Sequence, residues 1–464
     1  MPRPPRSPAP PVDRAPGTRP RVVVVGAGHG GIECVKALAS AAVDVLVVDR
    51  NNYHKFQPLL YQVATAGLDV DDITQPIRHI VRRQANADVL LGLVTDVDLD
   101  ARRLLLDGGG AVGYDVLVLA PGASTAYYGV EGAMEHAFPL KNVADAVALR
   151  SHLLRRFEAA AADPALVDDG ALTAVVVGGG PTGVEMAGAI RELTHVLAKD
   201  FPRLDVGRAR VVLVDGERAP LAGYDPELRD YTADALRERG AEVRFGTHVA
   251  RVDGRGVELD DGGRIDAGTV VWAAGVRANP LADALGLEQT AGGRVVVDAA
   301  LRVPGRADVF VVGDAAGARG PDGDLYPGVA QVAIQQGRHA ARLVEAAASG
   351  EAADDPFVYH DLGQMATIGR NAAVLQMPGG IRLTGFLAWA GWLLVHVVKL
   401  VGFRNRVAVL FNWFYNYVSY DRGPRLILTA EPEHDRPARP VLATAPTVGA
   451  DAEPAGGSHD PALA

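Results

Sequence analysis

Cysteine is almost absent from this chain: Cys34 is the single one in 464 residues. An internal disulfide, a C-x-x-C redox pair and an iron–sulfur cluster held by cysteines alone are thereby excluded. Cys34 itself falls after a glycine turn, in a helical stretch, and reads as a small buried apolar residue. The 12 histidines lack metal-ligand spacings such as H-E-x-x-H, so organic cofactors and no metal are expected. Basic charge is not in excess either. The net charge of −10 disfavours nucleic acid as a partner, because binding phosphates needs a concentrated positive surface. Residues 1–20 are Pro- and Arg-rich without an apolar run and read as neither signal peptide nor transmembrane helix. Like residues 431–464, which are rich in Ala, Pro, Gly and acidic groups, they are expected to be disordered.

Glycine and valine, by contrast, are abundant and patterned. Val22-Val23-Val24-Val25-Gly26-Ala27-Gly28-His29-Gly30-Gly31 reads as a buried strand, a G-x-G-x-x-G turn and a helix start, and so does Val175-Val176-Val177-Gly178-Gly179-Gly180-Pro181-Thr182-Gly183. The exposed N–H groups at such a helix start receive a dinucleotide pyrophosphate. In the first copy Gly26 serves the sharp turn, Gly28 the close approach to the pyrophosphate and Gly31 the packing of helix on strand. A helix is expected from Ile32 to about Ala42, then a strand over Val43–Val48. Asp49 closes that strand 23 residues after Gly26, near the distance at which a carboxylate takes a ribose hydroxyl. A turn-capping aspartate is the plainer alternative.

In the second copy Gly178, Gly180 and Gly183 occupy the same places. A helix is expected over Gly183–Leu197, and the strand Arg210–Val214 ends at Asp215. An acidic group there accepts from a free 2′-hydroxyl and repels a 2′-phosphate, which favours NADH over NADPH, although Arg218 is close enough to blur the preference. Tyr114–Ala123 and Val270–Val276 repeat one strand-and-turn pattern, and Asp308–Ala316 presents Gly313-Asp314 at another strand end. Together they suggest a duplicated dinucleotide domain that holds two dinucleotides face to face.

These residues resemble the two-dinucleotide-binding flavoprotein reductases over about residues 21–345. In that group the first turn holds FAD, the second holds the nicotinamide cofactor, and the aspartate of a V-G-D-A segment, here Asp314, reaches the ribityl chain of FAD. Within the group the chain is similar to the type II NADH:quinone oxidoreductases. Three stretches carry this likeness: Asn51–Ala64 (N-N-Y-H-K-F-Q-P-L-L-Y-Q-V-A), Ala330–Gly337 with its A-Q-x-x-x-Q pattern, and Val401–Arg406 (V-G-F-R-N-R).

The resemblance implies FAD-dependent oxidation of NADH with two electrons passed to a membrane quinone, without proton pumping. It implies Glu185 beside nicotinamide and flavin, and Gln331 and Gln335 near the flavin and the quinone head group. Plainer accounts exist: a helix dipole favours a first-turn carboxylate at Glu185, and helix-surface polarity suffices for the glutamines. Pro121 stands where related proteins often have threonine, and no calcium-loop pattern interrupts the chain. The lone cysteine removes the disulfide reductases and argues against a sulfide-oxidising quinone reductase. A soluble reductase of a small redox protein and a low-turnover redox sensor stay open. No residue stands out in the sequence as a proton donor to the quinone.

Phe386–Val398 and Val407–Val418 are almost wholly apolar, with Trp and Tyr, but each falls short of the ~20 residues that span a bilayer. Two helices lying on a membrane surface are expected over residues 381–420. Arg382, Lys399, Arg404, Arg406, Arg422 and Arg425 against Asp421 leave a local excess of five positive charges, which anionic lipid attracts by ~1 kcal/mol per basic residue. A buried helix pair or a homodimer interface uses similar stretches. The expected fold is α/β: two Rossmann-like domains, one for FAD over 21–165 and 290–350 and one for NADH over 166–289, followed by a C-terminal anchoring domain over 351–430. The expected location is the cytoplasmic face of the cell membrane, held peripherally.

Overall fold

The computed structural model describes residues 19–419 and 421–428; apart from residues 19 and 20, both tails expected to be disordered lie outside the described residues. Strand β1 (Arg21–Val25), helix α1 (His29–Ala37) and strand β2 (Asp44–Asp49) form the first βαβ start. Helix α2 (Leu60–Ala64) follows, then β3 (Ala87–Leu91) and β4 (Val116–Leu119). Helix α3 (Val143–Ala162) opens with a reciprocal capping box between Asn142 and Asp145, which satisfies backbone donors at its first turn. A second unit comprises β5 (Thr173–Val177), α4 (Pro181–Asp200), β6 (Arg210–Asp215), β7 (Ala241–Phe245) and β8 (Thr269–Trp272). The chain then returns to the first unit with β9 (Arg306–Val311) and α5 (Ala330–Ala348), and ends in helices α6 (Gly385–Lys399) and α7 (Phe403–Ser419).

One sheet runs Arg302–Val303, β9, β4, β1, β2, β3; the other runs Phe138–Pro139, β8, β5, β6, β7. All pairings among the labelled strands are parallel. Parallel strands covered on both faces read as unbroken apolar runs, and Val22, Val23 and Val24 of β1 are fully buried, as are Val175 and Val176 of β5. In each sheet the strand before the glycine turn lies between neighbours reached in opposite directions. Val24 pairs with Val47 and Val118, and Val176 pairs with Leu213 and Val271. Each sheet therefore has a switch point, with a ligand crevice outside the carboxyl ends of its strands.

Three local expectations need correction. Helix α1 stops at Ala37 instead of about Ala42. The Asn86 side-chain amide donates to the carbonyls of Leu38, Ala41 and Val43 at 2.9, 3.3 and 3.0 Å; this satisfies main-chain acceptors without a further helical turn. Helix α4 is longer at both ends than Gly183–Leu197, because Pro181 suits the first helical position. Before α6 the chain forms an antiparallel meander, Gln364–Gly369, Ala372–Gln376 and Arg382–Thr384, which the pattern of apolar runs did not indicate. The meander packs against α4 so closely that a β-carbon on Gly188 would stand 1.9 Å from the Ile368 carbonyl oxygen.

Candidate active site

The two glycine turns have one geometry. Gly26 (φ 98°) and Gly178 (φ 109°) adopt backbone that L side chains avoid. A β-carbon on Gly31 would lie 1.8 Å from the Gly26 oxygen, and one on Gly183 1.7 Å from the Gly178 oxygen, so the helix starts press directly onto the turns. Gly28 and Gly180, in contrast, face no atom within 4 Å. Open space in front of uncapped helix N–H groups is the cradle a pyrophosphate needs.

Each turn is latched by its acidic residue. Asp49 accepts from the Ala27 N–H at 2.7 Å and from the Asn51 N–H at 2.7 Å. Asp215 accepts from the N–H of Gly179, the counterpart of Ala27, and from the Glu217 N–H at 2.6 Å. The turn-capping role and a ribose role are therefore compatible, since a carboxylate has about four acceptor sites.

Around the first turn the polar groups are unevenly satisfied. His29 Nε2 is buried without a partner, and burial drives the imidazole pKa down to about 3, so the ring is neutral. His54 donates from Nδ1 to the Ala27 carbonyl at 2.8 Å. Asp314 lies 3.4 Å from the Lys141 ammonium. Lys55 is half-buried, and desolvation together with Lys141 and Arg50 lowers its pKa to about 8. The Gly313 N–H is taken by the Gln336 side chain at 2.7 Å. Cys34 is buried and its thiol pKa is pushed up to about 12, which makes it inert.

Glu185 stands on the second turn of α4 in apolar surroundings. Burial raises its pKa from 4.5 to about 8, against the opposing pull of the Thr367 backbone N–H. The Trp392 indole N–H of α6 approaches it without reaching hydrogen-bond geometry. Trp392 is 1% exposed and stacks on His396 with centroids 3.9 Å apart. From His396 the rings continue through Phe56 at 6.0 Å and His29 at 6.0 Å. A continuous aromatic path thus links α6 to the first glycine turn.

Gln331 and Gln335 lie on α5, but both amides are engaged by one extended segment. Gln331 donates to Gly363 O at 2.9 Å and accepts from the Leu362 N–H at 3.1 Å; Gln335 exchanges two 2.9 Å bonds with the His360 backbone. Sequence reasoning missed Gln336, Trp392, His396 and Arg422. Helical spacing marks Gln336, since it shares a buried face with Val332, Ala333 and Ala340.

Helix α7 has two distinct faces. Asn405, Val409, Asn412 and Asn416, spaced i, i+4, i+7, i+11, face the body of the protein, with Trp413 beside them. Asn405 donates to the carbonyls of Asp71 and Thr74, each at 2.9 Å. Asn412 donates to Asp72 at 2.9 Å, Trp413 to Gln62 at 2.7 Å and Asn416 to Gly67 O at 2.9 Å. The opposite face exposes Phe403, Val407, Leu410, Phe411, Phe414 and Val418, continued on α6 by Leu387, Leu394 and Val398.

The expected basic patch is only partly on this face. Arg382 pairs with Asp225, Arg422 with Glu192, and Arg425 with Asp200 and Asp421. Lys399, Arg404 and Arg406 stay exposed. Among the described residues no helix is long and apolar enough to cross a membrane.

Two dinucleotide cradles at the switch points of two parallel sheets define a nucleotide-dependent reductase fold. The family model "Pyridine nucleotide-disulphide oxidoreductase" matches residues 20–337, and "NDH2 C-terminal domain" matches residues 361–419. The chain is 41% identical to the type II NADH:quinone oxidoreductase NdhA of Mycobacterium tuberculosis, over 89% of this chain and 90% of that one. It is 32% identical to the mitochondrial internal alternative NAD(P)H-ubiquinone oxidoreductase A1 of Arabidopsis thaliana, over 87% and 85%. The structure of NDH2 from Plasmodium falciparum in complex with NADH shares the fold, with TM-score 0.79, 18% identity, and 88% of this chain and 100% of that chain covered. The chain belongs to the pyridine nucleotide-disulphide oxidoreductases and, within them, to the type II NADH:quinone oxidoreductases.

Proposed function

We propose that this protein oxidises NADH and passes two electrons through FAD to a quinone at a membrane surface. The observation that carries the reading is the pair of latched glycine turns in a molecule whose apolar helix pair reaches inward, through Trp392, to Glu185. Family membership supports it.

FAD at the first turn supplies hydride acceptance and two-electron transfer. Gly26, Gly28 and Gly31 shape its diphosphate cradle, Asp49 takes a ribose hydroxyl, and Asp314, beside the Gly313 turn, takes the ribityl chain. The orphan His29 nitrogen and the Lys55 ammonium are polar groups suited to that cofactor's oxygens. Gly178, Gly180 and Gly183 cradle the NADH diphosphate, and Asp215 receives its adenosine ribose, preferring NADH. Gln331 and Gln335 hold segment 360–363 on α5 and so position the wall on the quinone side. Reduction of a quinone to a quinol takes up two protons. Glu185, protonated up to about pH 8, is a group able to hold one of them, so a donor absent from the sequence reading emerges from burial.

The apolar face of α6 and α7 beds into a lipid surface, with Lys399, Arg404 and Arg406 at the headgroups. This gives a peripheral enzyme on the cytoplasmic face, where NADH is available, without proton pumping. The same face offers a homodimer contact as a second use. The testing experiment is an absorbance assay on purified protein. NADH should bleach the flavin, and turnover should require added quinone. Bleaching without quinone turnover would remove the acceptor, and absence of flavin would remove the reading of the first turn.

A further inference from the structure

The segment between the two sheets holds an exposed aromatic ring at the mouth of the second crevice. Ala123–Thr125 pairs antiparallel with Val276–Ala278, and these short strands join the two nucleotide units. The chain after Thr125 is pinned from below. The Ala126 N–H donates to Gly275 O at 3.1 Å, the Trp272 indole N–H donates to Ala126 O at 2.8 Å, and the Tyr127 ring leans on Trp272 at 5.8 Å. On this base Tyr128 has φ 51° and is 70% exposed. Left-handed backbone is sparsely populated for a bulky residue, and an exposed ring has no burial to offset it.

The ring does have a seat. A β-carbon on Gly275 would stand 2.1 Å from the Tyr128 hydroxyl oxygen, so the side chain lies directly over that bare peptide. Gly275 follows Ala273 and Ala274 at the carboxyl end of β8, and a β-carbon on Gly178 would stand 2.6 Å from both of these residues. Tyr128 is therefore next to the pyrophosphate turn, on the β8 side. Asp215, at the end of β6, marks the other side of β5 as the adenosine half. A dinucleotide crossing the switch point directs its remaining half toward β8.

We propose that Tyr128 is a further NADH-binding residue whose ring walls the nicotinamide half of the crevice. The proposal rests on the assignment of the second turn to NADH. Its test compares two probes on the flavin-loaded protein by calorimetry: NAD⁺, which carries the nicotinamide ring, and ADP-ribose, which lacks it. Tyr128→Ala should weaken NAD⁺ about fivefold, the scale of an aromatic contact, and leave ADP-ribose unchanged. Tyr128→Phe keeps the ring and should bind NAD⁺ within about twofold of the parent. Equal weakening of both probes, or no change in either, overturns the proposal, as does a loss in Tyr128→Phe equal to that in Tyr128→Ala. Failure of the parent protein to bind either probe overturns the NADH assignment itself, and with it this inference.

Discussion

Arg422 bridges to Glu192 at 2.8 Å from inside the protein, with its side chain only 10% exposed. The same guanidinium donates to Thr65 O at 2.5 Å and Ala189 O at 3.3 Å. Glu192 in turn accepts from the Arg370 N–H at 2.5 Å, and Arg370 caps the end of α7 through the Asn416 and Tyr417 carbonyls at 2.7 and 3.0 Å. Because Glu192 lies two turns after Glu185 on α4, the segment beyond α6 and α7 is tied to the helix that carries the Glu185 carboxyl.

Arg422→Gln should therefore lower stability by about 2 kcal/mol, since the enclosed Thr65 and Ala189 carbonyls lose their charged donor. Thermal melting checks this, together with proteolysis of segment 419–428, which should become faster. An unchanged melt would show that the bridge is dispensable.

Gly180→Ala should leave the fold intact, because the added carbon meets nothing within 4 Å. It should raise the KM for NADH about tenfold, or 1.4 kcal/mol, with FAD still bound. Gly183→Ala, whose carbon would stand 1.7 Å from the Gly178 oxygen, should instead destabilise the whole unit. Loss of FAD from Gly180→Ala would reverse the assignment of the two turns.

Glu185 gives a pH signature of definite sign. Its folded pKa of about 8 lies above the ordinary 4.5, so the folded state retains a proton that the unfolded chain releases. Stability is unaffected below about pH 4.5, falls as pH rises from there to about 8, and is level above. Glu185→Gln should melt a few degrees higher than the parent at pH 8 and no higher at pH 4. Its quinone-reduction rate should be lower and should lose any break near pH 8. Identical pH profiles for the two proteins would confine Glu185 to a structural role.

Deleting residues 381–430 would be a poor test of membrane binding, because Trp392, Val397, Leu400 and Val409 belong to the main core. The paired change Phe411→Ser and Phe414→Ser alters side chains that are each 67% exposed and spares the Asn-lined face. It should release the protein from vesicles at unchanged melting temperature. Neutralising Lys399, Arg404 and Arg406 together should weaken binding to anionic vesicles by ~1 kcal/mol per charge, and only at low salt. Undiminished sedimentation of the Phe variant with vesicles would move this face to a protein–protein contact.

Much of the nucleotide-binding architecture was legible in sequence because it is local. A valine run, a glycine triplet and an acidic residue at the next strand end all lie within one βαβ unit, from Val22 to Asp49 in the first copy and from Val175 to Asp215 in the second. Backbone sterics at Gly26 and Gly178, and close packing at Gly31 and Gly183, impose the same residue types in both copies. The end of α1 was not legible, because the Asn86 amide that satisfies the carbonyls just after the helix lies 48 residues beyond Leu38.

What the sequence by itself determined is the set of elements whose cause is periodicity or steric need: the two strand–turn–helix units, their acidic latches, and two apolar helices too short to cross a bilayer. Tertiary structure alone decided which charges remain available and which groups titrate. Local sequence makes Arg382, Arg422 and Arg425 part of a lipid-facing basic patch, yet distant carboxylates claim them. The family resemblance points to Glu185, but its raised pKa comes from desolvation beside the Thr367 strand and Trp392. Both outcomes share one physical reason. Coulomb energy and desolvation depend on what surrounds a group in space, and residues 182 and 207 positions further along the chain supply those surroundings for Glu185.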